Sequence, residues 1–219
     1  ATVAYVPVDA HGMQPAALAA SGAALAYVTP SHQFPTGAVT PAGRRQALLR
    51  WAAQGGDRYL IEDDYDSEFR FTGLPIPALQ SIDQADRVIY LNTFSRALAP
   101  SLRISYLVLP PTLLDRYHQR LGFYSSTVPS FEQYALARFM ERGHFERHLN
   151  RTRTRYKARR EALLAAARDT GLTRVGSFAG GDAGLHLLLW MDGRWSEAEL
   201  VARAVDAGVG VAPLSACDL

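Results

Sequence analysis

Short runs of β-branched and apolar residues alternate along this chain with longer stretches in which apolar positions recur at helical spacing. The short runs are bounded by Gly, Pro, Asn and Asp. They predict strands at residues 2–6, 25–29, 58–62, 88–92 and 104–109. Between the second and third of these lies the clearest helical pattern. Thr40 is its predicted N-cap and Pro41 its first helical position. Leu48, Leu49 and Trp51 mark its apolar side, and Gly55-Gly56 ends it. Strand, helix, strand in this order predicts an α/β fold, a mostly parallel sheet with helices packed on it.

After Pro110 the texture changes. Helices are predicted over 111–123 and 130–142, followed by a third over 144–168 that is long for a globular helix and is closed by Gly171. Short strands near 173–176 and 184–191, a helix over 196–207 and a strand over 209–212 complete the pattern. The division this implies is residues 1–142 as part of a large α/β domain, 143–169 as a connector helix and 170–219 as a small α+β domain. A small antiparallel sheet needs more strands than this to stand alone, so the small domain is expected to be cut short.

Composition narrows the class. Of 219 residues, 48% are hydrophobic and 20% charged, which is the balance of an ordinary folded domain and excludes a disordered one. No apolar run is long enough to span a bilayer. The first nine residues lack a basic segment and are interrupted by Pro7 and Asp9, so no signal peptide is expected. Cys217 is the one cysteine, which excludes a disulfide framework within the chain and points to the cytoplasm. A net charge of +2 gives no bulk attraction to nucleic acid. Lys157 is the one lysine and every other basic side chain except histidine is arginine, as a GC-rich genome would give.

Three segments carry candidate chemistry. In Glu62-Asp63-Asp64-Tyr65-Asp66-Ser67-Glu68, five acids occupy seven positions directly after a predicted strand. That is the edge of an open α/β sheet where ligands bind. Such a cluster needs a metal, arginines or a protonated ligand nitrogen to neutralise it. No His or Asp spacing typical of a metal site accompanies it, and the plainer alternative is a solvated acidic loop. In Thr93-Phe94-Ser95-Arg96 through Arg103, hydroxyls and two guanidiniums follow the next strand, the donor types a phosphate monoester requires. In Thr29-Pro30-Ser31-His32-Gln33-Phe34-Pro35-Thr36-Gly37, two prolines and a glycine specify a tight loop; His32 on it is a candidate ligand contact, the plainer alternative being an exposed loop histidine. The basic stretch 147–160 has apolar positions Phe145, Leu149, Tyr156 and Leu163 at helical spacing. It is expected to be a solvated helix rather than a nucleic-acid patch. His186 lies in an apolar run and is expected to be a satisfied core histidine.

In order and spacing these segments, together with Gly143-His144-Phe145-Glu146-Arg147-His148 and Gly184-Leu185-His186, resemble the pyridoxal-phosphate (PLP) fold-type-I domain of MocR/GabR-type transcription regulators, a branch of the GntR superfamily. The resemblance covers essentially the whole chain. It implies that Asp63 pairs with the pyridine nitrogen, that Tyr65 reaches the ring's 3-oxygen, and that Thr93, Ser95 and Arg103 hold the phosphate. Arg96 falls where the family places the Schiff-base lysine. A guanidinium stays protonated and is a poor nucleophile, so neither covalent attachment of PLP nor transamination is expected. Arg96 is left to hold a phosphate or carboxylate non-covalently. Phe34 stands where ordinary aminotransferases carry asparagine, which favours the regulator branch. The resemblance further implies a homodimer and an effector that is PLP or a small amino compound. It places DNA binding in a winged helix-turn-helix before Ala1, together with the glycine turn and stacking aromatic of the cofactor site. The substrate-carboxylate arginine is expected beyond Leu219. An aminotransferase of class I or II, and a cofactor-free dimerisation module, are the alternatives.

Overall fold

The computed structural model describes residues 2–74 and 76–217. A two-residue antiparallel pair, β1 (Val8–Asp9) and β2 (Gly12–Met13), precedes α1 (Pro15–Ala20) and β3 (Leu25–Val28). Next come α2 (Ala42–Ala53), β4 (Tyr59–Asp63), α3 (Leu79–Ile82), β5 (Val88–Thr93), α4 (Phe94–Ala97) and β6 (Ser105–Val108). The four longer strands form one sheet in the order β3-β4-β5-β6. β3, β4 and β5 run parallel, and β6 returns antiparallel along β5.

The core lies where α1, α2 and α3 cover one face of this sheet. Leu18, Leu48, Leu49, Trp51, Ala52 and Leu79 from the helices meet Ala26, Val28, Leu60 and Val88 from the strands. Full burial of each large aliphatic side chain contributes about 1.5–3 kcal/mol. Within this core β4 alternates, with Leu60 and Glu62 facing inward and their neighbours half-exposed. Glu62 is wholly buried and accepts hydrogen bonds from the backbone N–H groups of Leu79 (2.8 Å) and Gln80 (3.0 Å) at the start of α3. The Arg45 guanidinium on α2 lies 3.7 Å from Glu62. It donates to the carbonyls of Thr40 (3.0 Å), Pro77 (2.9 Å) and Pro30 (2.9 Å). One cation therefore ties together both ends of the Pro30–Thr40 loop and the entry to α3.

Beyond the sheet lie α5 (Pro111–Leu121), α6 (Ser130–Glu141) and α7 (His144–Asp169), then β7 (Gly176–Ala179), β8 (Leu188–Met191) and α8 (Glu197–Asp206). β7 and β8 pair antiparallel. α8 opens with a capping box, in which Ser196 and Glu199 satisfy each other's backbone N–H groups. Among the described residues no helix is long and apolar enough to cross a membrane.

Several local expectations are corrected. Residues 2–6 form no strand: Val3 and Tyr5 stand exposed, and no neighbouring strand pairs with them. Thr40 does not cap α2, which begins at Ala42 with Pro41 as N-cap. The Thr40 side chain is instead buried beside Gly12. Residues 172–174 are a 3-10 turn after the left-handed Gly171, and the strand starts only at Gly176. Of 184–191 only 188–191 is strand, because the backbones of Gly184 and Leu185 bond to Phe69 and Asp66. Residues 209–212 are not a strand, and a 3-10 turn at Leu214–Cys217 follows them.

Candidate functional site

Asp63 pairs in register with Leu91, so Asp63 and Thr93 close adjacent parallel strands at the same carboxyl edge of the sheet. In open α/β sheets this edge is where ligands are bound. Tyr27, on the neighbouring strand β3, donates its phenolic hydrogen to Asp63 Oδ2. Burial, and then the Asp63 carboxylate, push the Tyr27 hydroxyl upward in pKa, so it remains a donor. The Tyr65 hydroxyl donates to the His32 carbonyl at 2.9 Å. Its pKa is also raised, first by burial and then by Asp66 and Asp63, while the Arg96 charge opposes the rise. Arg96 on α4 thus lies within electrostatic reach of Tyr65, and it acts on His186 as well. The fold brings Asp63, Tyr65 and Arg96 to one end of the sheet.

The remaining predicted positions gather at the same edge with different freedom. The Thr93 hydroxyl accepts from Ser95 N (3.2 Å) as the N-cap of α4 and donates to Ile104 O (3.3 Å), so its proton is already engaged. Thr93 pairs with Ser105, so Arg103 enters β6 just outside this edge. Its φ of 52° is a left-handed conformation that costs a non-glycine residue about 1–2 kcal/mol. Its side chain is exposed, and among the described residues it makes no ion pair or hydrogen bond.

Beside this group the structure builds a contact that the sequence does not announce. His32 is 1% exposed, and its Nδ1 lies 2.9 Å from Asp66 Oδ2, which also accepts from Leu185 N at 3.2 Å. The ring of His186 lies 4.2 Å from that of His32, tilted by 38°, and its Nε2 donates to Pro35 O at 3.1 Å. Burial, then the neighbouring His32, hold the His186 pKa below its ordinary value. Gly184 makes the approach feasible: its φ is +72°, and a Cβ there would run into His32 Nδ1 and Asp66 Oδ2. His32 is therefore a buried latch between the Pro30–Thr40 loop and the segment leading to β8, not an exposed loop residue. His32, Asp66 and His186 can each offer one ligand atom within 4.8 Å of the others. Hydrogen bonds engage His32 Nδ1, Asp66 Oδ2 and His186 Nε2, while His32 Nε2 is buried without a hydrogen-bond partner.

The acidic segment is not a solvated loop either. Glu62, Asp64 and Asp66 are buried, and Asp64 Oδ2 accepts from Ser67 Oγ (2.7 Å) and Tyr90 OH (2.8 Å). The chain signalled His32, Asp66 and His186 separately. Asp66 is 34 residues from His32 and 119 from Leu185, so local pattern carries no sign that they meet. Tyr27 and Arg45 gave no signal beyond their places on a strand and a helix.

These donors fit PLP in part. An anion for a protonated ring nitrogen, a phenol, a guanidinium and a hydroxyl-bearing turn are present by type at one sheet edge. The amine needed for covalent attachment is not among them. Lys157 lies on α7, exposed, its Nζ 4.0 Å from Glu161.

The family description "aminotransferase class I and II" matches residues 2–218. The chain is 44% identical over 207 residues to the uncharacterized HTH-type transcriptional regulator YhdI of Bacillus subtilis, covering 94% of this chain and 44% of that protein. It is 40% identical over 195 residues to the probable rhizopine catabolism regulatory protein MocR of Rhizobium meliloti, covering 87% of this chain and 38% of that one. Among solved structures, the kynurenine aminotransferase of Pyrococcus horikoshii superposes with a TM-score of 0.79 at 27% identity, covering 96% of this chain and 54% of that one. The fold is the fold-type-I architecture of PLP-dependent aminotransferases. This chain belongs to the aminotransferase class I and II family. The curated relatives YhdI and YdeL of Bacillus subtilis are HTH-type transcriptional regulators, and the chain spans less than half the length of these and of the Rhizobium meliloti protein.

Proposed function

We propose that this chain is the effector-sensing domain of a MocR-type transcription regulator, and that it holds PLP, or a ligand of like chemistry, without covalent attachment. The observation that carries this reading is the convergence of Asp63, Tyr65 and Arg96 at the carboxyl edge of the sheet. A guanidinium stands there in place of a condensing amine. Asp63 would pair with the ring nitrogen, and Tyr65 with the 3-oxygen. Ser95, Arg103 and the Thr93 turn would hold the phosphate, with Arg96 as an added fixed charge. When bound, the cofactor would supply an aldehyde able to react with an effector amine. The protein's contribution is to bind and orient it. We further propose that residues 1–142, 143–169 and 170–219 act as large domain, connector and small domain. The intact protein would be a cytoplasmic homodimer reaching DNA through a winged-helix module elsewhere in the polypeptide. The similarity to HTH-type regulators over most of the chain supports this. The aminotransferase alternative has the fold in its favour and Arg96 against it.

The test is an absorbance titration of the wild-type chain and of Arg96→Lys with PLP, followed by borohydride reduction and intact-mass measurement. The wild type should bind reversibly, release the cofactor on dialysis and gain no mass, while Arg96→Lys gains the mass of one phosphopyridoxyl group, the cofactor having lost water on condensation and taken up two hydrogens on reduction. A mass gain in the wild type would restore the enzyme reading. No binding by the wild type would leave a cofactor-free dimerisation module.

A further inference from the structure

Charge is unevenly placed on this chain. Between His144 and Asp169, α7 carries eight arginines and lysines against three acids, a net charge of +5, so the other residues together stand at −3. Part of this charge turns inward. Arg153 Nε donates to Glu68 O at 2.9 Å, the Tyr156 ring packs on Phe69 with centroids 5.3 Å apart, and Arg160 lies 4.0 Å from Asp182. Arg153, Tyr156 and Arg160 thus mark the side of the helix that faces the rest of the protein.

Arg147, Arg151, Arg155 and Arg159 turn the other way and are exposed. Spaced four apart, they follow one another along one side of the helix at about 6 Å per step, a row about 18 Å long. Arg147 is partly engaged, donating to Arg142 O at 3.1 Å and to His144 Nδ1 at 2.8 Å. Arg151, Arg155 and Arg159 are free: among the described residues their guanidiniums make no ion pair and no hydrogen bond. The acids of α7 do not quench the row. Glu161 lies 4.0 Å from Lys157, and Glu146 and Asp169 sit in the first and last turns. α6, which packs against α7, balances Glu132 and Glu141 with Arg138 and its C-cap Arg142. Like charges four residues apart repel and weaken a helix. Stability therefore gives no reason for this row, whereas an extended polyanion does.

We propose that this row is a docking surface for the phosphate backbone of duplex DNA. A guanidinium keeps its charge and matches two phosphate oxygens at once. Duplex DNA carries one negative charge per about 1.7 Å of its axis, so about ten phosphate charges of the two strands lie within the length of the row. Phosphate contacts carry no sequence information, so the row adds affinity and fixes orientation while base recognition lies elsewhere. The choice of DNA among polyanions rests on the regulator reading given above. The sequence pattern alone implied a merely solvated helix. The structure changes this by turning Arg153 and Arg160 inward and leaving the other arginines in one free row.

The test is fluorescence anisotropy of labelled duplex DNA of two unrelated sequences, titrated with this chain into the millimolar range at about 20 to about 100 mM salt. Three free contacts predict a slope of log affinity against log salt of about −2.7, which is a drop of about eightyfold over that range, alike for both sequences. The variant Arg151→Gln/Arg155→Gln/Arg159→Gln should bind at least about tenfold more weakly at the lowest salt, with a slope no steeper than about −1. The control Arg50→Gln/Arg116→Gln/Arg120→Gln removes as much charge from exposed positions on α2 and α5, and should stay within about threefold of wild type. Equal weakening by both variants would make the effect one of net charge and overturn the proposal. So would absence of binding by the wild type at about 20 mM salt, or a slope near zero. Binding to phosphatidylglycerol vesicles with none to DNA would also overturn it, and assign the row to a membrane surface. The wild-type slope and its indifference to sequence need no variant, so they decide the matter even where a substitution fails to fold. Every titration is run without PLP, so failure of the cofactor to bind bears on the sheet edge alone.

Discussion

Replacing Arg45 with methionine should be among the most damaging single substitutions in the chain. The side chain is 1% exposed, faces the fully buried Glu62 at 3.7 Å, and donates to three carbonyls. Pro30 O keeps a second donor in Thr40 N at 2.9 Å. The acceptors left short are Thr40 O and Pro77 O, and the carboxylate loses the cation beside it. Removing one partner of a buried pair costs about 3–5 kcal/mol, and an orphaned acceptor adds about 1–3 kcal/mol. Methionine recovers part of this through packing, so a net loss of about 4 kcal/mol is expected. With a urea dependence of about 3 kcal/mol per molar, the midpoint should fall by more than about 1 M. Circular dichroism across a urea series measures it. The double variant Arg45→Met/Glu62→Gln should be more stable than Arg45→Met alone by about 1–3 kcal/mol, because the uncompensated charge is gone. A single-variant midpoint within about 0.3 M of wild type, or a double variant no better than the single, would refute the reasoning. Since Arg45 holds both ends of the Pro30–Thr40 loop, PLP affinity should weaken along with stability.

Other expectations follow from the same contacts. Gly184→Ala forces a side chain into the His32–Asp66 contact at a positive φ, and should cost at least about 3 kcal/mol, read as a drop in melting temperature. The His186 pKa is depressed below its ordinary 6.5. Its contribution to stability is therefore complete above that value and lost as pH falls through the folded pKa, and His186→Asn should flatten the acid limb of a stability–pH curve. Leu48→Ala empties a site in the main core and should cost about 2–5 kcal/mol in urea unfolding, leaving Arg96→Lys chemistry intact in the folded fraction.

The α/β order, the places of the four sheet strands to within a residue or two, the long helix α7 and the three segments at the sheet edge were all legible in the local sequence. Each of those is written in local periodicity, in turn residues or in donor types over a few consecutive positions. The guanidinium at position 96 is likewise a matter of residue identity. Only the tertiary structure decided that alternate acids of the 62–68 run turn inward, that Arg45 neutralises the first of them, and that His32 meets Asp66 and His186. It also decided that residues 2–6 and 209–212 stay outside any sheet. A strand exists only when a neighbour supplies hydrogen bonds, and a buried charge survives only when distant residues supply its partners. Neither partner is encoded within reach of a local pattern.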